Sequence, residues 1–202
     1  MRTNAGTKRK YSAFTLKDAM QLIPATDFTP WNLDAPLRPP SDQLLVNLQS
    51  LEAFDLQTTE EAKTLLIDDL FREIVPHHPK LKVWKAAPLE TETLKGVADY
   101  LITARQAYIA RPLLCVAEAK KDDFVKGAAQ CIAEMVACRQ NNQQTGYEID
   151  LFGIVSNGQG WTFYLLTQTG EIFATTPYDR KYLSELLGAL DYVCGECAKN
   201  VP

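Results

Sequence analysis

The chain has 202 residues, 46% hydrophobic and 23% charged, with a formal net charge of −4. That length suits one domain with room for a sizeable core, and no window approaches the roughly 18 unbroken apolar residues of a membrane span. The mildly acidic balance argues against strong sequence-independent nucleic-acid binding by the surface as a whole. Met1 to Lys10 is basic but leads into no apolar signal core, so a cytoplasmic protein is expected.

Residues 1 to 58 read as an N-terminal extension packed on a core domain of residues 59 to 202. Leu16 to Ile23 forms a short helix, and Pro24 opens an irregular stretch carrying Pro30, Pro36, Pro39 and Pro40. Ser41 has the character of an N-cap for a helix to about Phe54, with Leu44, Leu45, Leu48 and Leu51 on one face. The next helix spans about Thr59 to Val75, capped by Thr59 and closed by Pro76. Leu66, Ile67, Leu70, Phe71 and Ile74 form its apolar face. On a helical wheel Glu60 falls at the edge of that face and Glu61 on the polar side. Glu60 is then either a carboxylate within reach of a site or favourable acidic charge in a first turn. His77 and His78 lack the i, i+4 spacing that converges on a metal and read as a solvated loop.

Three strands follow at short intervals, Leu81 to Leu89, Gly96 to Ala104 and Pro112 to Lys120, the pattern of an antiparallel meander. Leu113 to Ala117 is continuously apolar, which predicts a central strand covered on both faces. Glu118 and Lys120 project to one face, and Ala117 and Ala119 leave the other open to close helix packing. A lone carboxylate at the edge of a buried sheet protonates unless a cation holds it ionised. Lys120 is one such cation. The sharper expectation is that Asp99, on the adjacent strand, and Glu118 bind a hard divalent cation through oxygen ligands. Lys120 would then orient the attacking water and stabilise charge developing on phosphorus.

A largely apolar helix from about Asp123 to Gln140 leaves one polar stripe of Asp123, Lys126, Gln130 and Glu134, which is either its wet side or its site-facing side. Asp150 to Val155 and Trp161 to Thr167 are strands joined by a turn, Glu171 to Thr175 is a further strand, and a helix from about Tyr178 to Tyr192 buries Leu183, Leu186, Leu187 and Leu190. Trp161, Phe163 and Tyr164 are candidates for base stacking or for core packing, with core packing favoured for at least two. Cys115, Cys131 and Cys138 look like small core residues, and Cys194 and Cys197 like incidental thiols in a fraying C-terminal segment. Local cation candidates are Arg2, Lys8, Arg9 and Lys10 at the start, then Lys80, Lys82, Lys85, Lys95, Arg105 and Arg111; scattered solubilising charge accounts for them equally well.

The middle of the chain resembles the PD-(D/E)XK nuclease superfamily. That family places an acidic helix before a β-hairpin, an Asp on the second strand, a (D/E)xK on the third and, in its exonuclease branch, a Gln on the following helix. The match runs through Glu60, Asp99, Glu118-Ala119-Lys120 and Gln130, over roughly residues 59 to 167. The resemblance implies an α/β, restriction-endonuclease-like core with a central mixed β-sheet flanked by helices. It implies Mg²⁺ or Mn²⁺ held by Asp99 and Glu118, Lys120 at the nucleophile, and Glu60 and Gln130 in support. The activity implied is phosphodiester hydrolysis, foremost of DNA, with a homodimer where both strands of a duplex are cut. Ala98 precedes Asp99 where many members have Pro, and Glu134 stands where the exonuclease branch has Tyr. The acidic net charge and the lack of a DNA-reading module keep a rival open, a nuclease-fold scaffold without efficient catalysis.

Overall fold

The computed structural model describes residues 8–56, 58–120 and 123–201; Arg2, among the cations named above, lies outside them. In chain order the elements are β1 (Arg9–Lys10), α1 (Leu16–Gln21), β2 (Thr29–Pro30), α2 (Asp42–Ser50), α3 (Glu60–Ile74), β3 (Leu81–Glu90), β4 (Leu94–Ala104), β5 (Leu113–Ala119), α4 (Phe124–Gln143), β6 (Leu151–Ser156), β7 (Gly160–Leu166), β8 (Ile172–Ala174), β9 (Tyr178–Asp179) and α5 (Leu183–Lys199). Helix starts follow local chemistry. The hydroxyls of Ser41 and Thr59 accept from the N–H groups of Leu44 and Ala62, and the Asp123 carboxylate accepts from Lys126 N–H.

The strands form one mixed sheet in the order β1-β4-β5-β6-β7-β8-β2, with β3 on β4 and β9 on β7. β3, β4 and β5 are the antiparallel meander that the short connections predict. β5 and β6 are parallel because α4 carries the chain back between them. Helices cover both faces. Leu101, Val116 and Val155 bury against α4, whereas Ile102, Ala117, Ile154 and Phe163 bury with α3 and α5. Every residue of β5 is buried, as its unbroken apolar run requires. Among the described residues no helix is long and apolar enough to cross a membrane.

The N-terminal segment takes part in this packing. β1 and β2 end the strand path on either side, and Tyr11, Phe14, Ala19, Met20 and Ile23 are buried in the α4-side core. Tyr11 donates its hydroxyl to the Leu89 carbonyl at 2.8 Å, and its ring lies on Gly96, where an added Cβ would come within 2.3 Å of the ring.

The β3–β4 hairpin changes face midway. Val83 packs toward α3 and α5, but Ala87 and Leu89 pack toward α4; on the partner strand Tyr100 and Ile102 belong to the α3 side and Leu94 and Ala98 to the α4 side. Both reversals fall at one rung, because Lys85 pairs with Tyr100 and Ala87 with Ala98, which brackets Ala86 and Asp99. Ala86 has φ of +48°, a left-handed conformation that breaks the two-residue alternation.

The C-terminal helix is displaced from its expected span. Tyr178 and Asp179 pair with β7 instead, and the Asp179 side chain accepts from Lys181 N–H. The helix then continues past Tyr192 to Lys199, so Cys194 and Cys197 are fully buried and not part of a fraying end.

Candidate functional site

β3 pairs with β4 from Lys95 to Ala104 on every rung but that of Ala86 and Asp99, so the other edge of β4 is shared: β1 takes Leu94 and Lys95, and β5 takes Tyr100 to Thr103. Between them the ladder stops, and side chains complete it. The Asp99 N–H donates to Glu118 Oε1 at 3.3 Å, and the Ala119 N–H donates to Asp99 Oδ2 at 2.9 Å. Each carboxylate thus satisfies a backbone donor on the other strand, a charge-assisted arrangement that holds Asp99 and Glu118 together where β4 and β5 part.

Glu118 is fully buried, and its Oε2 accepts from Lys120 Nζ at 2.8 Å; Lys120 is itself 7% exposed. The spacing argument therefore holds for this pair: both side chains lie on the α4 side, and the alkyl stem of Lys120 passes Gly127 of α4. Gln130 joins the group indirectly. Its Nε2 donates to Glu134 Oε1 at 3.1 Å, and Glu134 is wholly buried beside Glu118, whose neighbouring charge adds to burial in pushing the Glu134 pKa well up. Glu134 Oε2 meets no donor among the described residues, so this buried carboxyl group is only half satisfied. Burial pushes both acids upward. Glu134 is pushed further than Glu118, because Lys120 and the Asp99 N–H stabilise the anion of Glu118, while Glu134 receives only an amide. Burial weighs against the Lys120 ammonium, but the nearby carboxylates outweigh it and raise its pKa, Glu118 first, then Asp99 and more weakly Glu60.

Glu60 opens α3, is exposed and hydrogen-bonds to none of the other site residues; Glu61 is exposed as well. Asp99, Glu118, Lys120 and, through Glu134, Gln130 are the residues brought together. Glu134 is the member that the sequence left undecided. Its i+4 spacing from Gln130 was visible, but the side to which the polar stripe faced was not.

The reading of the histidines is corrected, and those of the aromatic residues and thiols are narrowed. His78 is half-buried and bonds Asp191 of α5 at 2.8 Å, whereas His77 is exposed at the end of a 3₁₀ turn over Val75–His77. Trp161, Phe163 and Tyr164 are all core residues, unavailable for base stacking. Burial pushes all five thiols upward, which leaves them poor nucleophiles.

Among the described residues no three His, Cys, Asp or Glu side chains are arranged to hold a metal ion. Two carboxylates nevertheless suit Mg²⁺, which commonly binds through one or two and fills its shell with water and substrate oxygens. Asp99 Oδ1 accepts no hydrogen bond among the described residues, and a carboxylate oxygen has more than one lone pair to offer. The chain matches no protein-family model and no curated protein.

Proposed function

We propose that the chain is a metal-dependent nuclease on a restriction-endonuclease-like core, hydrolysing phosphodiester bonds in DNA. The observation that carries this is the reciprocal engagement of Asp99 and Glu118 at the parting of β4 and β5, with Lys120 buried beside them. The element order α3, β3, β4, β5, α4, β6, with β5 and β6 parallel, supports the same core.

Asp99 and Glu118 would hold Mg²⁺ or Mn²⁺, which when bound supplies Lewis acidity and lowers the pKa of a coordinated water. Lys120 presents a fixed ammonium to the attacking water and to charge developing on phosphorus. Glu118 orients Lys120, and Gln130 holds Glu134 beside Glu118. Glu60 adds negative charge that helps keep the Lys120 ammonium protonated.

One observation favours the rival scaffold reading. Both Glu118 oxygens already have donors, which lowers its availability to a cation. The two readings separate on the purified chain supplied with DNA and Mg²⁺ or Mn²⁺. Cleavage is expected, with loss on chelation and in Asp99→Asn, a variant that keeps an oxygen acceptor for Ala119 N–H and so preserves the fold. Calorimetry should show divalent-cation binding that disappears in Asp99→Asn and Glu118→Gln. No cleavage together with no such binding leaves the scaffold.

A further inference from the structure

The N-terminal cations differ in what surrounds them. Lys8 is paired with Glu90 and Arg9 with Asp18. Lys10 and Lys95 have no ion-pair partner among the described residues, and both are exposed. They are direct partners in the β1–β4 pairing, so two ammonium stems stand side by side. Like charges in that relation repel. Glu90, opposite Lys95 on β3, offsets part of that repulsion, but its carboxylate is already bonded to Lys8. The pair is also held in place: Tyr11, next to Lys10, is buried, bonds the Leu89 carbonyl and stacks on Gly96, next to Lys95.

Lys10 and Lys95 line one cavity of about 360 Å³ together with Tyr11, Gly96, Val97, Gln130 and Glu90, whose carboxylate is neutralised by Lys8. Gln130 is the residue whose amide reaches Glu134 in the carboxylate cluster, so the cavity and the candidate site share a wall. Lys95 precedes Asp99 by four positions on β4, roughly 13 Å at the rise of an extended strand. A cationic pair at that distance from the reacting centre matches the reach of a nucleic-acid backbone across a few phosphates.

We propose that Lys10 and Lys95 form a phosphate-binding subsite that holds a single strand of DNA running toward Asp99 and Glu118. The choice of DNA rests on the nuclease reading. The contact is to backbone phosphate and is independent of base sequence.

The test is binding of a fluorescent oligo(dT) of about 15 nucleotides by the full chain in EDTA, followed by anisotropy across a salt series. Each lysine that neutralises a phosphate contributes roughly 0.7 to the slope of log K against log salt for a single strand. Lys10→Gln and Lys95→Gln should each lower the slope by about 0.7 and the double variant by about 1.4, while Lys17→Gln on α1 leaves it unchanged. Both positions are exposed, so the variants should unfold at the wild-type urea midpoint or above it. No oligonucleotide binding by the wild type, or an unchanged slope in the folded double variant, overturns the proposal. Because EDTA removes any cleavage, strands that bind through these lysines but are never cut in Mg²⁺ defeat the nuclease reading alone. Cleavage that survives with a wild-type salt slope in the double variant defeats the subsite alone.

Discussion

Glu134 sits beside a second carboxyl group, inside a helix, with no cation bonded to it among the described residues. Its raised pKa means that the folded chain binds more proton than the unfolded chain between the ordinary 4.5 and the raised value. Stability is therefore greatest below that window and declines as pH rises through it. Glu134→Gln keeps an acceptor for Gln130 without needing the proton. In urea unfolding from about pH 5 to about pH 9, the wild type should lose stability while the variant stays flatter and ends about 1–2 kcal/mol ahead. Parallel curves would mean that Glu134 ionises freely. Glu118 and Lys120 were legible in the sequence because a charged pair ending an apolar strand is costly without a partner, and Asp99 through the ordered set that the family resemblance implies. Glu134 was not, since a polar stripe on an amphipathic helix looks the same whether it faces water or another carboxyl group.

Among the elements, the β3–β4 hairpin turns on one residue. Ala86 holds a left-handed φ of +48° and is exposed, so it has no packing to compensate the strain. The cost for an L-residue there is roughly 1–2 kcal/mol, part of which glycine returns through a more flexible unfolded chain. Ala86→Gly should accordingly stabilise the protein by about 0.5–1 kcal/mol in urea unfolding. A loss of stability would show that the turn is not strained. The three meander strands were readable from their apolar runs and short gaps. The change of face at Ala86 and Asp99 was not, because a single φ angle leaves no trace in composition. The C-terminal helix failed for a related reason: Tyr178 and Asp179 suit a helix start locally, but β7 offered strand pairing, and burial against β5 carried the helix on through Cys197.

At the scale of the whole molecule, the N-terminal segment and the later elements share one α4-side core, so they should unfold together. Tyr11→Ala removes a buried ring and its bond to Leu89, a loss of about 3–5 kcal/mol. The single transition should shift to lower urea with fluorescence and circular dichroism still coincident. A separate early transition would mark the segment as an independent unit. The two-residue strands β1 and β2 carry no periodicity, and residues such as Tyr11 and Phe14 look incidental until a surface exists for them to cover. By itself the sequence determined the α/β class, the central buried strand, the antiparallel meander and the pairing of Glu118 with Lys120 on one face, since each is written in local spacing and polarity. Only the tertiary structure decided that Glu134 is buried beside Glu118, that Asp99 lies at a change of face, and that Lys10 pairs with Lys95. Those relations join residues far apart in the chain, and no local pattern encodes which distant group will share a buried space.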